Sequence, residues 1–192
     1  MCLNSLGFNR FIALGMVLIC TWMIHETVEA ESTVSVSMGY ALPVSPIGKN
    51  SFSEKYQCVL FPQADVDGLE LLAMNWGGRL LYLESAHKDF PSVKIGFLPV
   101  LVTGSYALMH DKTQALKLSA GVGPSWNFFS LGPTSRTDWV GAALDLGTSM
   151  EWFMGDTFSA GMGISDMVLS PAKSDQDWLG LLLFRAGVWY YF

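Results

Sequence analysis

Once the first thirty residues are set aside, His87 and His110 are the side chains best suited to proton transfer near neutral pH. His87 lies in Ser85-Ala86-His87-Lys88-Asp89 and His110 in Met109-His110-Asp111-Lys112. A histidine paired with serine or an acidic group can drive acyl hydrolysis or transfer. Neither histidine is followed two residues later by serine, as a His-x-Ser pattern requires, and both read as solvated loop or turn residues. Serine and aspartate are common enough that a triad assembled in space stays open, so a lipid-modifying enzyme is kept as an alternative. Asp65 and Asp67 flank Val66 in Gln63–Gly68, where turn propensity accounts for them without calcium. Cys58 reads as a small hydrophobe rather than a nucleophile. Paired Cys/His metal spacings, a Walker loop and a dinucleotide fingerprint are all absent, so neither metal nor cofactor is expected. The period-two pairs Gly121/Gly123 and Gly161/Gly163 relieve crowding rather than cradle phosphate.

A second set of chemical groups is Arg79, Lys117, Asp145, Glu151 and Arg185. Each stands among small residues in a segment that alternates with a period of two. In one such segment Val34, Val36, Met38, Tyr40 and Leu42 share a face, while Ser35, Ser37, Gly39 and Ala41 share the other. Leu116, Leu118, Ala120, Val122, Pro124, Trp126 and Phe128 repeat the pattern, as do Phe158, Ala160, Met162 and Ile164. Successive strand side chains point to opposite faces. Every such strand therefore has an oily face and a face of Ser, Gly and Ala carrying a few ions.

A soluble sandwich or lipocalin-like barrel would turn its oily face inward and cover itself with charge. This chain cannot do so well: it has 192 residues, 51% of them hydrophobic and 15% charged, and a mean hydropathy of +0.33. The small-residue face suits the crowded interior of a narrow barrel, and the oily face suits lipid. A net charge of −6 argues against nucleic acid as a partner.

Eight strands are predicted near Thr33–Val44, Lys55–Pro62, Leu69–Leu83, Ser92–Leu108, Gln114–Phe129, Trp139–Trp152, Thr157–Leu169 and Trp178–Phe192. The fourth is apolar on both faces, which leaves its register open and places Lys94 inside only if even positions face in. Longer polar connections (Ser45–Glu54, Glu84–Pro91, Ser130–Asp138, Ser170–Asp177) alternate with tight ones (Gln63–Gly68, Met109–Thr113, Phe153–Asp156). The expectation is an all-β fold: an eight-stranded antiparallel transmembrane β-barrel, an up-and-down meander with both ends of the chain on the turn side. Two aromatic belts are expected at the membrane interfaces. Tyr82, Trp126, Phe128, Trp139 and Trp178 form the one near the long loops. Phe61, Trp152, Phe158, Tyr190 and Phe192 form the one near the turns.

The first thirty residues read separately. Arg10 and the amino terminus precede an apolar run from Phe11 to Ile24, followed by Val28-Glu29-Ala30. This is the layout of a signal peptide cleaved after Ala30, and the run is short for a membrane span of about 20 residues. Residues 31–192 are then the barrel domain, whose single cysteine, Cys58, can form no internal disulfide.

The last strand, Leu182-Leu183-Phe184-Arg185-Ala186-Gly187-Val188-Trp189-Tyr190-Tyr191-Phe192, resembles the closing strand of bacterial outer-membrane β-barrels. The turn segment Glu151–Ser159 is similar to the periplasmic turns of small OmpA/OmpX-type barrels. The resemblance implies export to the outer membrane of a Gram-negative cell, contact with outer-membrane lipids and lipopolysaccharide, and recognition of the strand ending in Phe192 by the barrel-assembly machinery. A structural or surface-interaction role follows, with Arg79, Lys117, Asp145, Glu151 and Arg185 closing the lumen as a neutralising charge network. A narrow porin-like channel along those charges is the alternative.

Overall fold

A computed structural model describes residues 32–44, 59–71, 74–132, 135–170 and 178–192. The segment read as a signal peptide, Cys58 and most of the loops Ser45–Glu54 and Ser170–Asp177 lie outside the described residues. Nine strand segments follow one another: β1 Thr33–Val44, β2 Val59–Leu71, β3 Met74–Leu81, β4 Leu83–Ala86, β5 Val93–His110, β6 Gln114–Leu131, β7 Arg136–Phe153, β8 Phe158–Leu169 and β9 Leu179–Tyr191. Both β3 and β4 pair with β5, so they form one stave interrupted at Tyr82. Consecutive staves are antiparallel, and β9 returns to pair with β1 from Thr33↔Tyr191 to Val44↔Gly180. The result is a closed eight-stave antiparallel barrel in up-and-down order. Closure leaves no sheet edge, the condition a sheet must meet to span lipid.

The ends of the described chain meet, with Ser32 and Phe192 exchanging backbone hydrogen bonds of 3.2 and 3.1 Å. At the same end β5 turns into β6 through Asp111–Thr113 and β7 into β8 through residues 154–157, where Gly155 has φ 94°. The polarity of the wall is unambiguous. Leu118, Val122 and Met162 are 46%, 59% and 58% exposed on the outside, whereas Ser35, Ser125, Asp145 and Ser159 on the other face are buried. Inward glycines make room for larger inward groups: a Cβ on Gly163 would lie 2.8 Å from Arg185 Nε.

Two expectations are corrected, and the open register of the fourth predicted strand is decided. Gln63–Gly68 is not a turn but the middle of β2, and the chain reverses between Leu71 and Met74. Polar residues with high turn propensity are held extended there because they pair on both sides, Gln63 with Ser37 and Leu81, and Asp65 with Ser35 and Arg79. Gly68 falls at a register shift between Asp67 and Leu69, a one-residue irregularity instead of a reversal. The expected third strand accordingly starts at Met74 and runs on, through the break at Tyr82, to Ala86. In β5 the odd positions face in (Phe97, Leu101 and Thr103 are buried), so Lys94 faces out, where it pairs with Glu84 at 2.6 Å.

Candidate functional site: the barrel interior

Odd-numbered residues line the interior on every stave, up to the register shifts after Asp67 in β2 and Ala107 in β5, and along most staves their character changes once. On β9, Leu179, Leu181 and Leu183 give way to Arg185; on β8, Leu169 and Met167 give way to Ser165; on β5, Phe97 and Leu101 give way to Thr103. Phe61 on β2 precedes Gln63 and Asp65, and Leu81 on β3 follows Arg79. These apolar side chains, with Ala41, Leu83 and Ala143, form one buried cluster at the long-loop end. β6 departs from it, carrying Ser125 and Asn127 there, joined by a 2.6 Å hydrogen bond, and β4 adds the buried Ser85. The apolar layer was not anticipated, although the two-faced fourth strand was its signature.

Below this layer lies an ionic one. Arg79 Nε stands 2.5 Å from Asp65 Oδ1, and its Nη1 pairs with Asp145 Oδ2 from β7, on the far side of two intervening staves. Asp65 also accepts from Ser35 Oγ at 3.1 Å and Gln63 Nε2 at 2.6 Å. Nearer the turns, Lys117 Nζ lies 2.9 Å from Glu151 Oε1, and Tyr191 donates its hydroxyl to Glu151 Oε2. Ser159 Oγ is 3.4 Å from the same carboxylate oxygen, and Lys117 Nζ sits 5.7 Å from the Tyr191 ring centroid.

Arg185 is 6% exposed, yet its Nε and Nη1 make no hydrogen bond to a described residue, and Asp145 Oδ1 has none either. All five charges expected inside are thus interior, four of them in ion pairs. Asp65, Gln63 and Tyr191 complete the set and were missed. Asp65 and Gln63 had been assigned to a turn, and Tyr191 stands among terminal aromatics that all looked like belt residues.

The belts also need correction. Trp126, Trp152, Trp178, Tyr190 and Phe192 are exposed, and Phe158, Tyr190 and Phe192 stack with centroids 4.9 and 5.5 Å apart. Trp139 pairs in register with Asn127 and shares its inward face. Phe61 is fully buried inside the barrel, at the opposite end from the turns. Tyr82 is buried at the break between β3 and β4, where its hydroxyl donates to Glu84 at 2.7 Å. Strand parity decided the first two, and the misplaced β2 turn had shifted Phe61. Phe128 faces out beneath the Arg136 guanidinium, 4.3 Å from its ring centroid. His87 lies at the loop end between β4 and β5, and His110 closes β5 at the turn end, so the barrel does not bring them together.

No protein-family model matches the sequence, and no curated protein matches it. Among solved structures, Neisserial surface protein A aligns with a TM-score of 0.65 and 13% identity, covering 84% of this chain and 97% of that one. Ail, the attachment invasion locus protein of Yersinia pestis, aligns at 0.55 and 13% identity, covering 86% and 100%. The N-terminal β-barrel domain of Pseudomonas aeruginosa OprF aligns at 0.51 and 11% identity, covering 85% and 100%. The greasy outer wall, the polar interior and these alignments agree: the chain has the fold of the small bacterial outer-membrane β-barrels.

Proposed function

We propose that this protein is exported, loses residues 1–30, and resides in the outer membrane as a non-conducting barrel with a structural or surface-presenting role. The observation that carries this reading is the inverted wall combined with the filled interior. Large apolar side chains face outward along every stave, while the inside is occupied by a buried apolar cluster stacked on ion pairs. Barrels of this size have interiors that side chains alone can fill. Ions crossing this one would have to pass both a dehydrated apolar layer and a set of already paired charges, each a barrier in its own right.

Outer-membrane lipid and lipopolysaccharide are the partners of the wall, and the strand ending at Phe192 is the segment offered to the barrel-assembly machinery. Planar-bilayer recordings of the purified protein test the reading directly, with a flat baseline expected. Stable, resolved unitary openings would establish the channel alternative instead. Amino-terminal sequencing of protein recovered from outer membranes is expected to begin at Glu31.

A further inference from the structure

The outer wall carries one residue that lipid does not explain. Asp166 is at an even position of β8, faces out and is exposed. Its cross-strand neighbours are Leu146 and Leu182. It stands eight residues along β8 from Phe158 in the lower aromatic belt. At about 3.3 Å per residue and a tilt of about 40°, that is about 20 Å up a lipid-facing band about 25 Å tall. On the adjacent stave, Leu144 and Val140 lie further toward the loops and are themselves exposed and apolar, so the greasy surface continues above the carboxylate.

Asp166 makes no hydrogen bond or ion pair with another described residue. Thr148, a hydroxyl on the same wall, already donates to the carbonyl oxygen of Lys117 at 3.0 Å. A shallow, open groove of about 550 Å³ runs along the wall from Asp166 across β7 to the small residues Ala120 on β6 and Gly104 on β5, flanked by Leu146, Ile164 and Leu182.

An ionisable group facing hydrocarbon is costly unless something opposes its charge, and small residues let another backbone approach closely. We infer that this groove is a lateral docking site for a different membrane protein, one that presents a lysine or arginine from its own lipid-facing wall to Asp166. The inference rests on the outer-membrane reading above. Lipid chains carry no donor at this depth. The described residues of a second copy inserted in the same orientation offer no cation at this level either. Among the described residues, the basic groups outside the lumen are Lys88, Lys94 and Arg136 at the loop end and Lys112 in a turn, none of them on the wall near Asp166.

The test places a photoreactive residue at Leu146 or, as a control four staves away on the opposite side of the barrel, at Leu60, in cells whose outer membranes are shown to contain the protein. Absence from that membrane would count against the proposed location, separately from the groove. The expected result is a single protein adduct from position 146 and none from position 60. It should be lost in Asp166→Asn and Asp166→Leu and equally lost when a lysine or arginine in the crosslinked segment of the partner is changed to methionine. In parallel, purified Asp166→Leu should unfold at higher urea than the wild type, because an unopposed carboxylate has been removed from an apolar wall. An adduct that contains only lipid or a second copy of this chain overturns the proposal, as does one indifferent to Asp166. So does a lowered urea midpoint for Asp166→Leu, which would mean the carboxylate is already paired within its own chain.

Discussion

The two halves of the barrel interior solve the same packing problem with opposite chemistry. At the loop end, Phe61, Leu81, Leu101, Met167 and Leu183 fill the bore with groups that ask nothing of one another beyond contact. At the turn end, Arg79, Asp65, Asp145, Lys117 and Glu151 fill it with groups whose burial is tolerable only while each keeps its partner. The apolar half loses stability in proportion to what is deleted, whereas the ionic half fails by leaving a charge behind.

The comparison is broken most directly at Arg79. Arg79→Met strands Asp65 and Asp145 in the interior, and a loss of about 3–5 kcal/mol is expected. Replacing the whole cluster at once, with Asp65→Leu, Asp145→Leu and Arg185→Met added, should recover most of that loss, since neither the buried carboxylates nor the buried Arg185 is then left without a countercharge. Urea midpoints read from the gel mobility of folded and boiled samples measure both. If this quadruple variant is no more stable than the single one, the ionic half is not governed by pairing.

The apolar half is probed at Leu183, where truncation to alanine opens a cavity between staves and is expected to cost about 2–4 kcal/mol. The matching truncation on the outer wall, Met162→Ala, should cost well under half as much, because lipid closes over the space. Equal costs would mean that the two faces of the sheet are not in different media. Lys117→Met belongs between the two behaviours. It removes the cation beside Glu151 but leaves Tyr191 and Ser159 as donors, so a loss of about 1–3 kcal/mol is expected. Adding Tyr191→Phe should deepen that loss by more than Tyr191→Phe costs alone, because the carboxylate then loses its second donor.

How much of this was legible in the sequence follows from what period-two alternation can carry. It separates the faces, so the membrane-barrel architecture, the outward positions of Leu118 and Met162 and the inward positions of Arg79, Asp145, Glu151 and Arg185 could all be read from residue types. It does not mark where a strand ends when turn-forming residues sit inside it. Gln63–Gly68 looks like a turn, and only pairing with β1 and β3 makes it strand; with it went Asp65, the residue that completes the Arg79 network. Nor does alternation help where both faces are apolar. Leu179, Leu181 and Leu183 alternate with Leu182 and Phe184, and residue type alone cannot tell a lumen-facing leucine from a lipid-facing one. The apolar layer inside the barrel stayed hidden for that reason, and Trp139 was assigned to a belt because belts are where tryptophan is expected.

The smallest effect contrasts these buried carboxylates with an exposed one. Asp111, in the turn between β5 and β6, accepts three hydrogen bonds on Oδ1, from the Thr113 amide and hydroxyl at 2.7 Å each and from the Gln114 amide at 2.9 Å. The Thr113 hydroxyl is the foremost cause, followed by the two amides, and together they hold the Asp111 carboxyl below its ordinary value of 3.8. Because the folded value is the depressed one, the stabilisation is complete above 3.8 and is lost as pH falls through the lower folded value. Physiological pH therefore leaves the turn intact, and only strong acid loosens it. Carbon-detected NMR titration of the Asp111 carboxyl in micelles is expected to give a midpoint under 3.8, shifting upward in Thr113→Ala while the two amide donors keep part of the depression. A wild-type midpoint at or above 3.8 would show that the turn does not hold its carboxylate in solution. Whatever its size, this effect should be independent of Arg79 and Lys117, because Asp111 is exposed at the rim, where water screens it, and the interior pairs are buried within the barrel.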